Sequence, residues 1–140
     1  MNKDNYKEIV IDFFNCFTRC DVDGALGHLD ENLIWQAMGT SGELPISGKR
    51  NKEETGELIK DVKGMMPGGL QFTFTDWTIE GNRVAAEIES YGEVVGDKVY
   101  NNYYHFLFVF NDNKISIIKE YLDTLHVSKI FVQVYVVLEG

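Results

Sequence analysis

KVYNNYYHFLFVF (98–110) is one of four runs in which hydrophobic character alternates; the others are LQFTFTDWTIE (70–80), RVAAEIESYGEVV (83–95) and KISIIKEYLDTLHV (114–127). An alternation of period two belongs to a half-buried strand, whose successive side chains point to opposite faces. Gly81-Asn82, Gly96-Asp97 and Asn111-Asp112-Asn113 separate the runs, and these residues supply the turn chemistry that closes hairpins. Residues 70–127 therefore predict an antiparallel meander. One face of such a sheet must be covered, and the material that covers it lies upstream.

Before Leu70 the repeat is helical. Tyr6, Ile9, Val10, Phe13, Phe14 and Phe17 recur at helical spacing and predict an amphipathic helix over 3–20 with an aromatic stripe. DVDGALGHLD (21–30) follows as a short second helix with Asp21 or Asp23 as its cap. NLIWQA (32–37) is a short strand and MGTSGELPISG (38–48) a polar, glycine-rich loop, a mobile lip for a pocket mouth. KRNKEETGELIKDVKGM (49–65) is a third helix, stopped by Pro67-Gly68-Gly69. The sum is an α+β two-layer domain over residues 1–127. In the tail, 128–140, Ile130, Val132, Val134, Val136 and Leu138 alternate like a further strand or a segment packed on a partner.

The bulk properties narrow the function classes. A chain of 140 residues with 44% apolar content builds one sizeable core. A net charge of -9 excludes a nucleic-acid backbone or an anionic membrane as partner, because both reward a basic surface. The longest apolar run, IFVQVYVVL (130–138), is far short of the roughly 20 residues of a membrane span, and the first residues lack the pattern of a secretory signal. A cytoplasmic protein is expected. Cys16 and Cys20, four apart on the first predicted helix, are expected as buried thiols rather than a disulfide.

DVDGALGHLDENLIW (21–35) after the first helix and NDNKISIIKEYLDTLHV (111–127) with its Tyr-x-Asp at the end resemble the SnoaL-like group of the nuclear transport factor two-like superfamily. Ketosteroid isomerases, limonene epoxide hydrolases and small polyketide cyclases belong to that superfamily, and the resemblance spans about residues 3–127. It implies a cone: a strongly curved antiparallel sheet wrapped around three N-terminal helices, a deep apolar pocket in the mouth, and a homodimer through the outer sheet face. It implies no cofactor and a small apolar molecule as partner.

The chemistry of the relatives does not carry over intact. The oxyanion-donating tyrosine of ketosteroid isomerases falls on Phe13 and their general-base aspartate on Ala37, and a phenyl ring donates no hydrogen bond. In the Asp-Arg-Asp triad of limonene epoxide hydrolases, the carboxylates fall on Glu89 and Asp123, but the arginine falls on Glu87, and the accompanying tyrosine and asparagine fall on Trp35 and Ala37. A third acid in place of the cation reverses the local electrostatics.

The same alignment aims Trp35, Glu87, Glu89, Tyr91, Tyr103, His105, Leu107, Tyr121 and Asp123 into the pocket, with Phe13, Phe17 and Met38 as apolar wall. Acids crowded beside an imidazole push each other's protonation apart, the usual origin of acid and base roles. Asp123 and His105, assisted by Glu89, are the expected acid/base groups for an isomerase, cyclase, dehydratase or hydrolase reaction, with Tyr91, Tyr103 or Tyr121 holding the substrate oxygen. Competing expectations are a non-catalytic binder of an apolar ligand and a dimeric scaffold with a filled pocket. Glu87, Glu89, His105 and Asp123 are also ligand types for a divalent metal, although no strict motif joins them.

Overall fold

The computed structural model of the chain describes residues 3–39 and 48–132. Helix α1, Lys3–Thr18, buries the expected stripe of Tyr6, Val10, Phe13, Phe14 and Phe17. Helix α2, Val22–Leu26, is capped by Asp21, whose carboxylate accepts the Gly24 N–H at 3.0 Å. Helix α3, Lys52–Met65, starts at a reciprocal capping box: Asn51 Oδ1 accepts the Glu54 N–H at 2.8 Å and Glu54 Oε1 accepts the Asn51 N–H at 2.9 Å. Such a box satisfies two of the N–H groups that a helix start leaves unpaired.

The strands are β1 (Leu29–Ala37), β2 (Gly48–Arg50), β3 (Gln71–Glu80), β4 (Arg83–Val94), β5 (Lys98–Asn111) and β6 (Lys114–Leu122). They form one curved, open six-stranded sheet in the order β2-β1-β6-β5-β4-β3, folded around the helices as the α+β reading requires. β1 runs parallel to β6, and every other pairing is antiparallel. The three hairpin turns use the residues that tolerate positive φ: Gly81 at 57°, Gly96 at 86° with Asp97 at 60°, and Asp112 at 51°. Lys49 and Arg50, expected at the start of the third helix, belong with Gly48 to β2, which pairs with β1, Trp35 opposite Arg50.

Rings pack the space between α1 and the sheet. Phe14 alone lies within 6.0 Å, centroid to centroid, of Phe72, Phe74, Phe106 and Phe108. On β5 the side chains of Tyr100, Asn102, Tyr104, Phe106, Phe108 and Phe110 are buried, whereas Asn101, Tyr103 and His105 between them are exposed. β4 repeats the pattern, with Val84, Ala86, Ile88 and Ser90 inside and Glu87 and Tyr91 outside.

Two boundaries differ from expectation. β6 ends at Leu122, and Asp123 is the N-cap of a one-turn helix α4, Thr124–Val127, not a strand residue. The chain continues as a π-helical turn, Ser128–Val132, so the described start of the tail is helical; the remainder of the expected strand lies outside the described residues, as do residues 40–47 of the expected lip. Cys16 is buried, but Cys20 lies beyond the helix and is only half-buried; both are free thiols. No helix among the described residues is long and apolar enough to cross a membrane.

The two faces of β5 should respond oppositely to truncation. Phe106→Ala is expected to cost about 3–5 kcal/mol in denaturant unfolding, and His105→Ala less than about 0.5. Equal costs would contradict the assignment of faces.

Candidate functional site

A cavity of about 60 Å³ remains where α1, α3 and the inner face of the sheet diverge. Phe14 and Phe17 of α1, Trp35 of β1 and Phe106 of β5 supply aromatic walls, and Leu58, Val62 and Met65 of α3 close the side opposite the sheet. Its polar lining comes from Tyr100 and Tyr104 on β5, Glu120 on β6 and Arg50 at the end of β2. One further wall, Phe131, comes from the π-helical turn.

Glu120 is the acid of this site. Ile115, Ile118 and Glu120 are all buried on β6, an alternation broken by an irregularity in the β5–β6 pairing between Val109 and Phe110. The indole of Trp35 donates Nε1–H to Glu120 Oε1 at 3.0 Å. Burial disfavours the carboxylate and pushes the pKa of Glu120 up to about 7, against the smaller opposing pulls of the Trp35 hydrogen bond and the Arg50 charge. The Arg50 guanidinium sits over the Trp35 ring, 5.8 Å from its centroid, so the cation is held near the acid by the same indole that hydrogen-bonds it.

Beside Glu120 runs a chain of buried polar side chains. Tyr100 OH lies 2.7 Å from Tyr104 OH, which lies 2.8 Å from Ser90 Oγ. Asn102 Nδ2 donates to Tyr100 OH at 3.0 Å. Burial holds both phenols above their ordinary range, so they stay protonated and serve as hydrogen-bonding groups rather than bases. Asn102 and Ser90 are buried to within 1% of full, and each has its partners in this chain, which satisfies the rule that buried polar groups are paired.

The residues expected from the sequence divide by face. Phe17 and Trp35 line the cavity; Phe13 is buried in the core beside them, its ring 6.0 Å from that of Trp35. Met38 is half-buried past the end of β1, where its N–H donates to the Glu120 carbonyl at 2.8 Å. Glu87, Glu89, Tyr91, Tyr103, His105, Leu107 and Tyr121 do not face the cavity. They lie on the outer face of the sheet, with Glu87 opposite His105 and His105 opposite Tyr121. Asp123 is exposed, and its carboxylate accepts the His126 N–H at 3.2 Å as a helix cap. The crowding of acids expected inside the pocket is therefore absent from it. On β4 and β5 these side chains stand one residue out of step with the buried set, and in a period of two a one-residue offset puts a side chain on the opposite face.

Glu120, Tyr100, Tyr104, Ser90, Asn102 and Arg50 were missed. A signal for half of them existed: Phe106, Phe108 and Phe110 mark the apolar face of β5, and counting back by twos reaches Tyr104, Asn102 and Tyr100. Among the described residues no three His, Cys, Asp or Glu side chains are placed to hold a metal ion.

The SnoaL-like domain family model matches residues 10–118. The chain belongs to the SnoaL-like domain family. A SnoaL-like reading agrees with the sheet topology and with the cavity between helices and sheet. UPF0523 protein C of Dictyostelium discoideum is 30% identical to this SnoaL-like chain over 126 residues, spanning 85% of this chain and 79% of that protein. Among solved structures, an NTF2-like protein from Burkholderia xenovorans superimposes with a TM-score of 0.73 at 24% identity, covering 92% of this chain and 97% of that one. An LEH-like epoxide hydrolase from M. tuberculosis gives a TM-score of 0.73 at 18% identity, covering 97% of each chain. At these identities the structural matches establish the fold alone.

The raised pKa of Glu120 fixes the sign of a pH effect. The folded state holds the proton more tightly than the unfolded chain, so stability is full below the unfolded carboxyl range and declines as pH rises to about 7. The loss is of order 3 kcal/mol by about pH 8. Glu120→Gln keeps an acceptor for Trp35 and carries no charge. It should match the wild type near pH 4 and exceed it in melting temperature at about pH 8. A variant less stable than the wild type at about pH 8 would show that Glu120 is a stabilising ion.

Proposed function

We propose that the cavity takes a small, largely apolar molecule and that Glu120 moves a proton on it, as the acid/base group of an isomerase, cyclase, dehydratase or hydrolase reaction. The observation that supports this reading is a buried carboxyl, poised at about 7 and lining a cavity otherwise walled by rings. A group with that pKa is populated in both forms near neutral pH, the condition in which general acid/base catalysis is most effective. With an enolisable ketone, the Glu120 carboxylate takes a proton from the carbon next to the carbonyl. The C–H electron pair becomes the C=C bond, and negative charge moves to the oxygen. Tyr100 and Tyr104, held protonated beside the acid, are the hydrogen-bonding groups for that oxygen. The Glu120 acid then returns the proton to the same carbon, or, where the ketone is β,γ-unsaturated and the enolate is a dienolate, to the γ carbon as the double bond moves into conjugation. Glu120 thus takes the role that sequence reasoning gave to Asp123 and His105.

A screen of enolisable ketones, lactones and epoxides tests this directly. Turnover should follow an ionisation near 7, and Glu120→Gln should lower kcat about 100-fold or more with little change in KM. Binding without turnover would transfer the cavity to the reading as a binding module; full activity in Glu120→Gln would remove this residue from the chemistry.

The outer sheet face supports a homodimer as part of the same reading. Tyr91, Tyr103 and Tyr121 are 48%, 68% and 46% exposed there, a run of large side chains that a second copy would cover. Sedimentation should show a dimer that Tyr103→Glu dissociates; a monomeric wild type at micromolar concentration would refute it.

A further inference from the structure

We propose that the segment from Asp123 to Phe131 is a strap over the cavity, that Asn102 is the clasp at its hinge, and that Phe131 sets the size of molecule the site admits. The proposal rests on the reading of the cavity as a ligand site.

The cavity, about 60 Å³ and partly open to solvent, falls well below the roughly 300–1,000 Å³ of sites that enclose whole ligands. A wall must therefore move before a molecule larger than a few waters can be enclosed. Most walls are poor candidates. Phe14, Trp35 and Phe106 sit on long elements and interlock with one another and with further rings. Phe131 differs: its segment is one turn of α4 followed by a π-helical turn, and neither belongs to the sheet. So short a helix has no cooperative stability of its own and depends on its tertiary anchors.

Those anchors converge on β5. Asn102 Oδ1 accepts the Asp123 N–H at 3.1 Å, while its Nδ2 donates to the Asp123 carbonyl at 3.1 Å. The side chain thereby grips both backbone groups of the residue where strand becomes strap. His126 stacks on the Tyr100 ring, 5.4 Å between centroids and 12° from parallel, and its Nε2 accepts the Asn101 N–H at 3.2 Å. Phe131 reaches the same Tyr100 ring at 4.7 Å.

Tyr100 is thus shared. Its ring carries two strap contacts, and its hydroxyl belongs to the cavity's polar chain through Asn102 and Tyr104. The two backbone N–H groups that Asn102 Oδ1 accepts, from Asp123 and Tyr103, fix the amide so that Nδ2 faces Tyr100 OH. Release of the clasp consequently frees the strap and removes a donor from the Tyr100 hydroxyl together. Asn102 is in this sense a positioning residue, and a ligand that holds Tyr100 in place holds the strap closed.

Amide hydrogen exchange on the full chain tests the strap without any ligand. In the wild type, amides of 124–132 should exchange about tenfold or more faster than those of central β5, reporting opening short of global unfolding. Asn102→Ala should accelerate the strap alone by about a further tenfold, and His126→Ala, at a surface anchor, should do so if the first variant folds poorly. Strap and β5 amides that share one rate in all three proteins would overturn the strap, and strap rates unmoved by Asn102→Ala in a folded protein would overturn the clasp. Calorimetry with phenol and 2-naphthol tests the size limit: Phe131→Ala should bind 2-naphthol about tenfold more tightly than the wild type while phenol changes little. Equal ratios in the two proteins would remove Phe131 as the determinant. Failure of every protein to bind either probe would refute the ligand reading and the size limit with it, while exchange still decides the strap.

Discussion

Phe106, Phe108 and Phe110 share one face of β5, and their burial against α1 and the neighbouring rings fixes the orientation of the longest strand in the sheet. Alternation then leaves no freedom to its neighbours. Tyr100, Asn102 and Tyr104 are inside for the same reason that the phenylalanines are, and Tyr103 and His105 are outside. Pairing transmits the choice sideways, because Phe106 stands opposite Ala86 on β4 and Glu120 on β6. The hydrophobic effect thus places an acid and two phenols in the interior: turning Glu120 outward would turn the aromatic face outward with it.

The interior arrangement has a cost that packing alone does not explain. A carboxyl of similar volume to a methionine or leucine side chain would be replaced by either with no loss of apolar burial, and an ionised acid in such surroundings is unfavourable. The fold limits the penalty rather than removing it. Trp35 donates one hydrogen bond, Arg50 adds a positive charge nearby, and the remaining imbalance is expressed as a proton retained up to about 7. A group held so close to the balance point between its two forms is suited to passing a proton.

The sequence disclosed the architecture because its signals were local and repeated. The stripe from Tyr6 to Phe17, the Pro67-Gly68-Gly69 stop and the glycine and aspartate turns each specify their own element, and the order of elements leaves one α+β arrangement. β2 was not legible, since three residues carry no period and Gly48–Arg50 becomes a strand only by pairing with β1. The site was legible in kind but not in position. The sequence points to an apolar pocket with an acid and tyrosines, and the cavity is lined by Glu120, Tyr100 and Tyr104, whereas the alignment that aims Glu87, Glu89 and His105 inward overrides the alternation of Val84, Ala86 and Ile88 and of the three phenylalanines. Asp123 drew attention as a carboxylate in an apolar run, but the strand stops one residue earlier and the aspartate caps a helix. Arg50 and the grip of Asn102 on Asp123 were beyond reach, because they lie in contacts with Trp35 and with the backbone of Asp123, far away along the chain.

The proton-transfer role of the cavity depends on the protonation state of one buried side chain, Glu120, and infrared difference spectroscopy of the wild type against Glu120→Gln observes it directly. The carbonyl stretch of a protonated carboxylic acid should be present in the wild type at mildly acidic pH, absent from the variant, and lost on titration with a midpoint near 7. A band already lost at about pH 5 would mean that Glu120 is an ordinary ionised carboxylate, and the acid/base reading would fall with it.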